Sequence, residues 1–427
     1  MKNKILIMIG LFCLFCIANS NVYANAKFNV ERKSMKVYDK LNNVVQENLQ
    51  GVRVVKSYVR EDFEEDKFKK VSADLYNKYL KTEYMVALTN PLMNLVVNGA
   101  LICLAWFGAK FIITGEIQTG DLTTLITYST QILMSLMMLS MILVMLVTSK
   151  ASAERIVEIL EEKPDITNNE VKQTEVKSGD ISFKNVSFSY TNDKNKCCLL
   201  NINLDIKEGE TVGIIGATGS SKSTLVQLIP RLYDTLEGSV LVGGQDVKNY
   251  DLQALRQNVA MVLQKNTLFS GTINENIRWG DENASEDKIQ EVCKLACADG
   301  FIQGFENKYN THIEQGGANV SGGQKQRLCI ARALAKAPKI LILDDSTSAV
   351  DTKTDKLIRD ALKNNIPNTT KIIIAQRISS VQHADKIVVM NEGKIDAIGT
   401  HTELLQNNEI YSDIYRLQQK GGKEDEC

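Results

Sequence analysis

The chain has 427 residues, enough for two or three domains of ordinary size. Its 50 basic and 51 acidic side chains give a net charge of -1, so its overall charge does not draw it to nucleic acid, and we expect no nucleic-acid partner. Nine cysteines and three histidines are scattered along the chain. Cys293 and Cys297, four residues apart, fit buried thiols on one helix face better than a metal site.

Residues 1–26 combine a basic start, an apolar stretch and an Ala24-x-Ala26 cleavage pattern, which together are typical of a secretory signal peptide. Cleavage there would export the chain from Lys27 onward. The lysine and arginine content of residues 27–81 instead predicts a cytoplasmic location for them by the positive-inside rule. Two interpretations therefore stay open: a signal-like segment at an abnormal chain start, or the remnant of another membrane helix.

Residues 29–84 are charged and amphipathic, with apolar positions three and four residues apart. This pattern predicts two long cytoplasmic helices joined by a turn near Arg60–Phe63. A coiled-coil stalk is the alternative, although strict heptads do not persist along the segment.

Residues 87–114 and 122–148 are each longer than the roughly 20 apolar residues that a membrane helix needs. The loop between them, 115–121, lacks lysine and arginine, whereas the flanks at 27–81 and 149–179 are rich in both. The positive-inside rule therefore predicts two membrane helices whose flanks both lie in the cytoplasm. The alternative is the buried helical hairpin of a soluble protein.

These features predict a partial α-helical membrane domain over 27–163 and a polar linker at 164–180. From 181 to 421, short β-like runs alternate with helical stretches, which predicts an α/β domain. Three apolar runs in it fit buried parallel strands. Those runs are 211–216, 339–345 and 371–376, and hairpins are expected within 181–206 and 386–399.

The segment GATGSSKST, residues 216–224, lies between an apolar strand and a helical stretch predicted at 223–233. It fits the phosphate-loop pattern G-x-x-x-x-G-K-[ST], except that Ser221 replaces the second glycine. In such a loop the backbone N–H groups and Lys222 bind phosphates, while Ser223 ligates Mg²⁺. The predicted nucleotide-binding residues here are Gly216, Ala217, Thr218, Gly219, Ser220, Ser221, Lys222, Ser223 and Thr224.

The apolar run at 339–345 ends in two aspartates. Asp344, at the end of the strand, is placed to hold Mg²⁺. Asp345 follows at the position of a general base for an attacking water. A plain turn at the strand end is the alternative, which the four apolar residues before the pair disfavour.

The stretch VSGGQKQRLCIARAL, residues 320–334, offers a hydroxyl and backbone donors to an anion at a helix start. With it, the chain from residue 181 onward resembles the nucleotide-binding domain of ATP-binding cassette (ABC) transporters. The resemblance implies an α/β P-loop ATPase fold with an antiparallel β subdomain and a helical signature subdomain, and ATP and Mg²⁺ as cofactors. It assigns Ser321, Gly322, Gly323 and Gln324 to the signature motif, Tyr190 to adenine stacking, Gln264 to the Q-loop and to Mg²⁺, and Asp351 to the D-loop.

The segments 44–61 and 151–164 resemble the last part of the membrane domain of six-helix ABC exporters. The resemblance implies that 87–114 and 122–148 are the fifth and sixth membrane helices, and that Arg60–Phe63 forms the second coupling helix. The first three helices and most of the fourth have no counterpart. We therefore expect an N-terminally truncated half-transporter in the plasma membrane, with its nucleotide-binding domain in the cytoplasm.

Three residues depart from the pattern of active family members. Asp345 stands where they carry glutamate, Gln376 where they carry the switch histidine, and Ser221 where they carry glycine. Aspartate is one methylene shorter than glutamate, and glutamine cannot bring a positive charge to the γ-phosphate. Loss of a well-placed general base costs about 10²–10⁴-fold in rate. The catalytic candidates of this site are Lys222, Asp345 and Gln376.

In ABC dimers each ATP lies between the phosphate loop of one chain and the signature motif of the other. The resemblance therefore implies a heterodimer in which the second exporter subunit carries glutamate and histidine at the matching positions. The transported substrate, whether small molecule, lipid or peptide, stays open. The alternative is a non-transporting regulatory or decayed fragment. A DNA-repair or chromosome ATPase would need a long coiled-coil insertion between 224 and 320, and the interval is too short for one.

Overall fold

The computed structural model describes residues 37–168, 173–345 and 350–424. The chain divides into two compact units, with the boundary between Lys163 and Pro164. The predicted signal-like segment, 1–26, lies outside the described residues.

The described part of the first unit consists of three helices. They are α1 (residues 37–57), α2 (Glu61–Ile113) and α3 (Thr119–Glu161). A turn at 58–60 separates α1 from α2. The two helices are joined across this turn by Lys67, whose Nζ lies 2.8 Å from an oxygen of Glu47, and by Asn48, whose amide donates to Glu64 at 2.9 Å. Acidic residues in the first turn of α2 complement the helix dipole.

Large apolar side chains project outward from α2 and α3. The most exposed include Leu88, Leu95 and Trp106 on α2 and Met134, Met138, Met141 and Met145 on α3. The predicted membrane segments fall within these two helices, apart from the turn residue Thr114. Within the residues that the structure describes, neither helix contains a stretch both long enough and apolar enough to cross a membrane.

Among the described residues, the second unit contains three sheets. A four-stranded antiparallel sheet has the order β2-β1-β4-β5, a six-stranded sheet has the order β12-β11-β3-β10-β9-β6, and a small sheet pairs β7 with β8. The strands are β1 (Ile181–Phe188), β2 (Leu199–Ile206), β3 (Thr211–Gly216), β4 (Glu237–Val242), β5 (Gln245–Asp246), β6 (Val259–Val262), β7 (Gly271–Thr272), β8 (His312–Ile313), β9 (Ile340–Asp344), β10 (Thr370–Ile374), β11 (Lys386–Asn391) and β12 (Lys394–Gly399).

Helices surround these sheets. They are α4 (Lys222–Gln227), α5 (Leu252–Asn258), α6 (Ile273–Arg278), α7 (Glu286–Leu295), α8 (Asp299–Ile302), α9 (Gly322–Ala335), α10 (Thr352–Asn365), α11 (His401–Asn407) and α12 (Glu409–Glu424). The predicted α/β fold is therefore confirmed, including the antiparallel hairpins β1–β2 and β11–β12. The helix predicted at 223–233 is shorter than expected. It ends at Gln227, because Pro230 has no N–H to donate and Arg231 adopts a left-handed φ of +50°.

Apart from the edge strand β12, whose residues alternate between exposed and half-buried, the six-stranded sheet is buried on both faces because neighbouring residues of a strand enter different cores. Ile214 and Ile342 pack on the core beneath the antiparallel sheet, whereas Ile215 and Leu341 pack with the helices of the other face. This alternation is the two-residue period of a strand. Cys293 belongs to the helical core, where burial raises the pKa of its thiol to about 12.

Parallel pairing sets where the strands end. Lys371 to Ile374 of β10 pair with Thr211 to Ile214 of β3, and Ile374 also pairs with Asp344 of β9. Because parallel strands point their carboxyl ends to one edge, the residues that follow β3, β9 and β10 meet there.

Tyr250 tests the packing of the antiparallel sheet. Its side chain is 1% exposed and its hydroxyl donates to the Val242 carbonyl at 2.8 Å. We expect Tyr250→Phe to lower the free energy of unfolding of the second unit by about 1 kcal/mol, since it removes one buried hydrogen bond. Thermal unfolding measures the change.

The matched control is Tyr233→Phe. The Tyr233 side chain is 40% exposed, and its hydroxyl makes no hydrogen bond within the part of the chain that the structure describes. Its loss should leave the unfolding temperature unchanged. An equal effect of both substitutions would contradict the role given to the Tyr250 hydroxyl.

Candidate functional site

The loop 216–224 begins where β3 ends. A Cβ on Gly216 would lie 2.2 Å from the Met390 carbonyl oxygen, so only glycine fits at this point. The loop then passes through Gly219, with a φ of +86°, and enters α4 at Lys222. The sequence thus produces the strand, turn and helix start expected of a phosphate-binding loop.

Lys222 folds back over the loop. Its Nζ donates to the carbonyl oxygens of Gly216 at 2.9 Å and Ala217 at 2.8 Å, and to Ser220 Oγ at 3.3 Å. Burial lowers the pKa of its ammonium, while the negative charges of the two aspartates act in the opposite direction. The ammonium therefore bonds to carbonyl oxygens of the same loop that is predicted to bind phosphate.

Ser221 has a left-handed backbone, with φ +67° and ψ 26°. The phosphate-loop pattern asks for glycine here, and a side chain in this conformation costs about 1–2 kcal/mol. Its side chain makes no capping hydrogen bond to α4. The strain at Ser221 therefore comes from its own backbone angle.

Asp344 and Ser223, two of the predicted Mg²⁺ ligands, lie together. Ser223 Oγ donates to Asp344 Oδ1 at 2.9 Å, which joins the start of α4 to the end of β9. Asp344 is 3% exposed, and burial raises the pKa of its carboxyl, opposed by the hydrogen bond from Ser223. A buried carboxylate and a hydroxyl form an oxygen donor set that fits Mg²⁺.

Asp345 is the acceptor for two glutamine side chains. Gln376 Nε2 donates to its Oδ2 at 2.8 Å, and Gln264 Nε2 approaches the same oxygen at 3.4 Å. Burial raises the pKa of Asp345, and the two amides oppose that shift. Gln264, predicted as a Mg²⁺ ligand, therefore directs its amide nitrogen at Asp345. Three residues picked from separate motifs form one hydrogen-bonded cluster.

Tyr190 stands beside the loop with 52% of its surface exposed. Its hydroxyl lies 3.0 Å from Thr224 Oγ1, and its ring meets Phe188 and Tyr233 edge to face, with centroids 4.9 and 5.1 Å away. These contacts fix the Tyr190 ring while about half of the residue stays exposed. No motif marks Tyr233, and only the fold brings it to Tyr190.

The signature residues cap a helix away from these contacts. Ser321 Oγ accepts the Gln324 N–H at 3.3 Å, and Gln324 Oε1 accepts the Ser321 N–H at 2.9 Å, a capping box at the start of α9. Ser321 and Gly322 are exposed, and Gly323 is half-buried. Within the described ranges, no hydrogen bond or ion pair joins this motif to the loop 216–224.

The D-loop is described only at its end, since 346–349 lie outside the described residues. Asp351 caps α10 by accepting the Thr354 N–H at 2.9 Å. This bond lowers the pKa of the Asp351 carboxyl.

Two sequence profiles match the chain. The profile described as "ABC transporter" matches residues 199–348, and the profile described as "ABC transporter transmembrane region" matches residues 3–136. The first covers the phosphate loop, the signature and the paired aspartates.

Relatives match along nearly the whole chain. The uncharacterized ABC transporter ATP-binding protein YknU of Bacillus subtilis is 39% identical over 91% of this chain and 66% of its own length. The putative multidrug export ATP-binding/permease protein YgaD of the same organism is 35% identical over 97% of this chain and 71% of its own. The ATP-dependent lipid A-core flippase of Desulfotalea psychrophila is 35% identical over 88% and 66%. The chain thus spans about two thirds of these proteins' length.

A solved structure is also similar, that of a bacterial Atm1-family ABC exporter with ATP bound. It has a TM-score of 0.90 and 26% sequence identity, over 97% of this chain and 73% of that one.

Ser221→Gly tests the backbone strain in the loop. Glycine removes the cost of the left-handed conformation but adds about 0.5–1 kcal/mol of backbone entropy. We expect the free energy of unfolding of the second unit to rise by up to about 1 kcal/mol. Thermal unfolding without nucleotide measures it.

The control is Ser220→Gly at the preceding position. Ser220 is buried, does not have a positive φ and accepts from Lys222. Its substitution should lower the unfolding temperature. A fall for both variants would show that strain at Ser221 is not the dominant effect.

Asp344→Asn tests the cost of the buried carboxyl. Because burial raises its pKa above the ordinary 3.8, the folded chain keeps the proton to a higher pH than the unfolded chain does. The free energy of unfolding therefore falls as pH rises through that window. We expect Asp344→Asn to be more stable than the parent at pH 7, and the difference to shrink as pH approaches 4. Unfolding against pH measures it.

Asp351→Asn is the control of opposite sign. The pKa of Asp351 is lowered, so its ionised form stabilises the fold at pH 7 and this stabilisation is lost as pH falls. The variant should be slightly less stable than the parent at pH 7, since asparagine also caps helices. A gain at pH 7 for both variants would contradict the assignment.

Proposed function

The chain belongs to the ABC transporter family, among exporters that join a transmembrane region to an ATPase domain, and on that premise we propose that it binds ATP at its own loop and hydrolyses it slowly. The observation that carries the proposal is the contact between Gln376 and Asp345, 2.8 Å long. The residue at the position of the base is bound to a neutral amide, and no cationic side chain is at the switch position.

Binding rests on the loop and its surroundings. Among the described residues, the Lys222 ammonium bonds only to two loop carbonyls and one hydroxyl, neutral groups that phosphate oxygens could replace. Tyr190 offers an exposed ring for the adenine. A loop between the end of a strand and the start of a helix offers backbone N–H groups that bind phosphates in other proteins, and we propose the same use here.

Mg²⁺ fits the oxygen donors at this edge of the sheet. Ser223 and Asp344 would hold it, with Gln264 contributing its amide oxygen after turning from Asp345. Held by these residues, the ion would supply positive charge to stabilise the phosphate. Asp344 is disfavoured in its ionised form by burial, so a cation at this point would relieve an existing electrostatic cost.

Slow hydrolysis follows from the chemistry of Asp345 and Gln376. A general base must reach the attacking water, and aspartate is one methylene shorter than the glutamate of active members. Its Oδ2 already accepts from two amides, which weakens it as a proton acceptor. Loss of a placed base costs about 10²–10⁴-fold in rate.

The exposed signature motif supports the proposal that this chain forms a dimer with a second exporter subunit. Its helix start is exposed and capped by its own residues rather than by contacts to the loop. We propose that it completes the ATP site of a second exporter subunit, which carries glutamate and histidine at the matching positions. ATP hydrolysis there would drive export of a small molecule, lipid or peptide across the plasma membrane, with the ATPase domain in the cytoplasm. Relatives named for multidrug export and lipid A-core flipping are compatible with any of these substrates.

The double variant Asp345→Glu/Gln376→His tests the degenerate site. We expect the rate of ATP hydrolysis by the purified chain to rise at least about tenfold, because the longer carboxylate reaches the water and the imidazole adds a charged donor. Release of phosphate at saturating ATP and Mg²⁺ measures the rate.

The same double variant with Lys222→Ala is the control and should lose the gain. A parent chain that already hydrolyses ATP as fast as the double variant would contradict the proposal. Binding of ATP by the parent, measured separately by nucleotide-dependent unfolding, must be present in either case.

A further inference from the structure

The segment that carries Gln376 is held by its backbone as well as by its side chain. This switch segment, residues 376–380, follows β10 and contains a short 3-10 turn, Ile378–Ser380. Two helices contact it from different directions. One of these contacts is made by Gln418 on α12, which belongs to none of the motifs identified in the sequence.

Helix α12 is fixed at its start by a buried tyrosine. Tyr411 is fully buried, and its hydroxyl lies 2.7 Å from His401 Nδ1. Ile414 and Tyr415 pack against the same core one turn later. Helical spacing then places Gln418, seven residues after Tyr411, on the same side of the helix, beyond the packed residues, where Gln418 is exposed.

The Gln418 side chain forms hydrogen bonds with two backbone groups of the switch segment. Its Nε2 donates to the Gln376 carbonyl at 2.7 Å, and its Oε1 accepts the Ile378 N–H at 2.8 Å. A single amide thus satisfies one acceptor and one donor, two residues apart, as a neighbouring strand would. Both bonds fix the backbone from which the Gln376 side chain extends to Asp345.

The far end of the segment is held independently. Arg359 on α10 donates to the carbonyl of Ser379 at 2.9 Å and approaches that of Ser380 at 3.3 Å. Ser380 Oγ in turn donates to Asp355 at 3.1 Å. Because these contacts anchor residues 379 and 380, a change at Gln418 acts mainly on the end that carries Gln376.

We propose that Gln418 is a positioning residue of the ATP site, which holds the Gln376 backbone so that its amide reaches Asp345. The inference rests on the proposed role of Gln376 and Asp345 in hydrolysis. It links α12 to the proposed ATP site, because the Gln418 amide bonds to the backbone of Gln376 and Ile378 and the Gln376 side chain bonds to the Asp345 carboxylate.

Hydrogen exchange of the full chain without nucleotide tests the grip directly. Gln418→Met keeps the length of the side chain and removes both hydrogen bonds. We expect the Ile378 amide to exchange at least about tenfold faster, the equivalent of losing about one such bond. Gln419→Met is the matched control, since among the described residues the Gln419 side chain bonds only to the Tyr415 hydroxyl of its own helix, and it should leave exchange unchanged. No change in Gln418→Met, or an equal change in both, overturns the proposal.

A double-mutant cycle tests whether the grip acts through Gln376. Gln418→Met should raise the single-turnover rate of ATP hydrolysis by up to about tenfold, because the Gln376 amide that weakens Asp345 as a proton acceptor is no longer held on it, and should change the apparent KM for ATP less than about twofold. In the Gln376→Ala background the same substitution should have no further effect, because the side chain that it positions is gone. Additive effects, a fall in rate, or a change in KM alone overturn the positioning role. If the parent chain shows no hydrolysis, the proposed function fails, while the exchange experiment still decides whether Gln418 holds the segment.

Discussion

The parallel register of β3, β10 and β9 is the constraint on which the proposed ATP site depends. Ile374 pairs with Ile214 on one side and with Asp344 on the other, so the three strands end at one edge of the sheet. The phosphate loop, the paired aspartates and the switch segment follow these ends directly. A shift of register in any one strand would separate groups that now lie within hydrogen-bond distance.

The site is built from groups that cost stability. Asp344 and Asp345 are buried, with the pKa of each raised by burial, and Ser221 and Asp345 both have left-handed backbone angles. The surrounding fold stabilises these features with directed bonds, from Ser223 to Asp344 and from Gln376 to Asp345. Strain and buried charge concentrated at one edge are typical of a functional site. In this chain the same bonds that stabilise Asp345 would also restrain it in its proposed role as a base.

The hydrogen-bonded groups extend beyond the motifs into two helices. Gln418 on α12 and Arg359 on α10 hold opposite ends of the switch segment, and Asp351 caps the same α10 at the D-loop. The conformation of Gln376 is therefore set by elements that follow it in the chain and elements that precede it. Contacts at either helix could alter the site without touching nucleotide.

The sequence by itself determined the elements whose signal is local. Strands expected at 339–345 and 371–376 are observed at Ile340–Asp344 and Thr370–Ile374, since apolar runs bounded by polar residues suffice to predict them. The strand, turn and helix start around 216–224 could be predicted because they are contiguous in the chain. Only the tertiary structure decided that Gln264 and Gln376 both bond to Oδ2 of Asp345, and that Gln418 bonds to the switch segment. These contacts join residues far apart in the chain, and they depend on sheet register and helix packing. The tertiary structure also showed that Ser221 has a left-handed backbone conformation, which is strained for a residue with a side chain. Residue type alone does not reveal this angle.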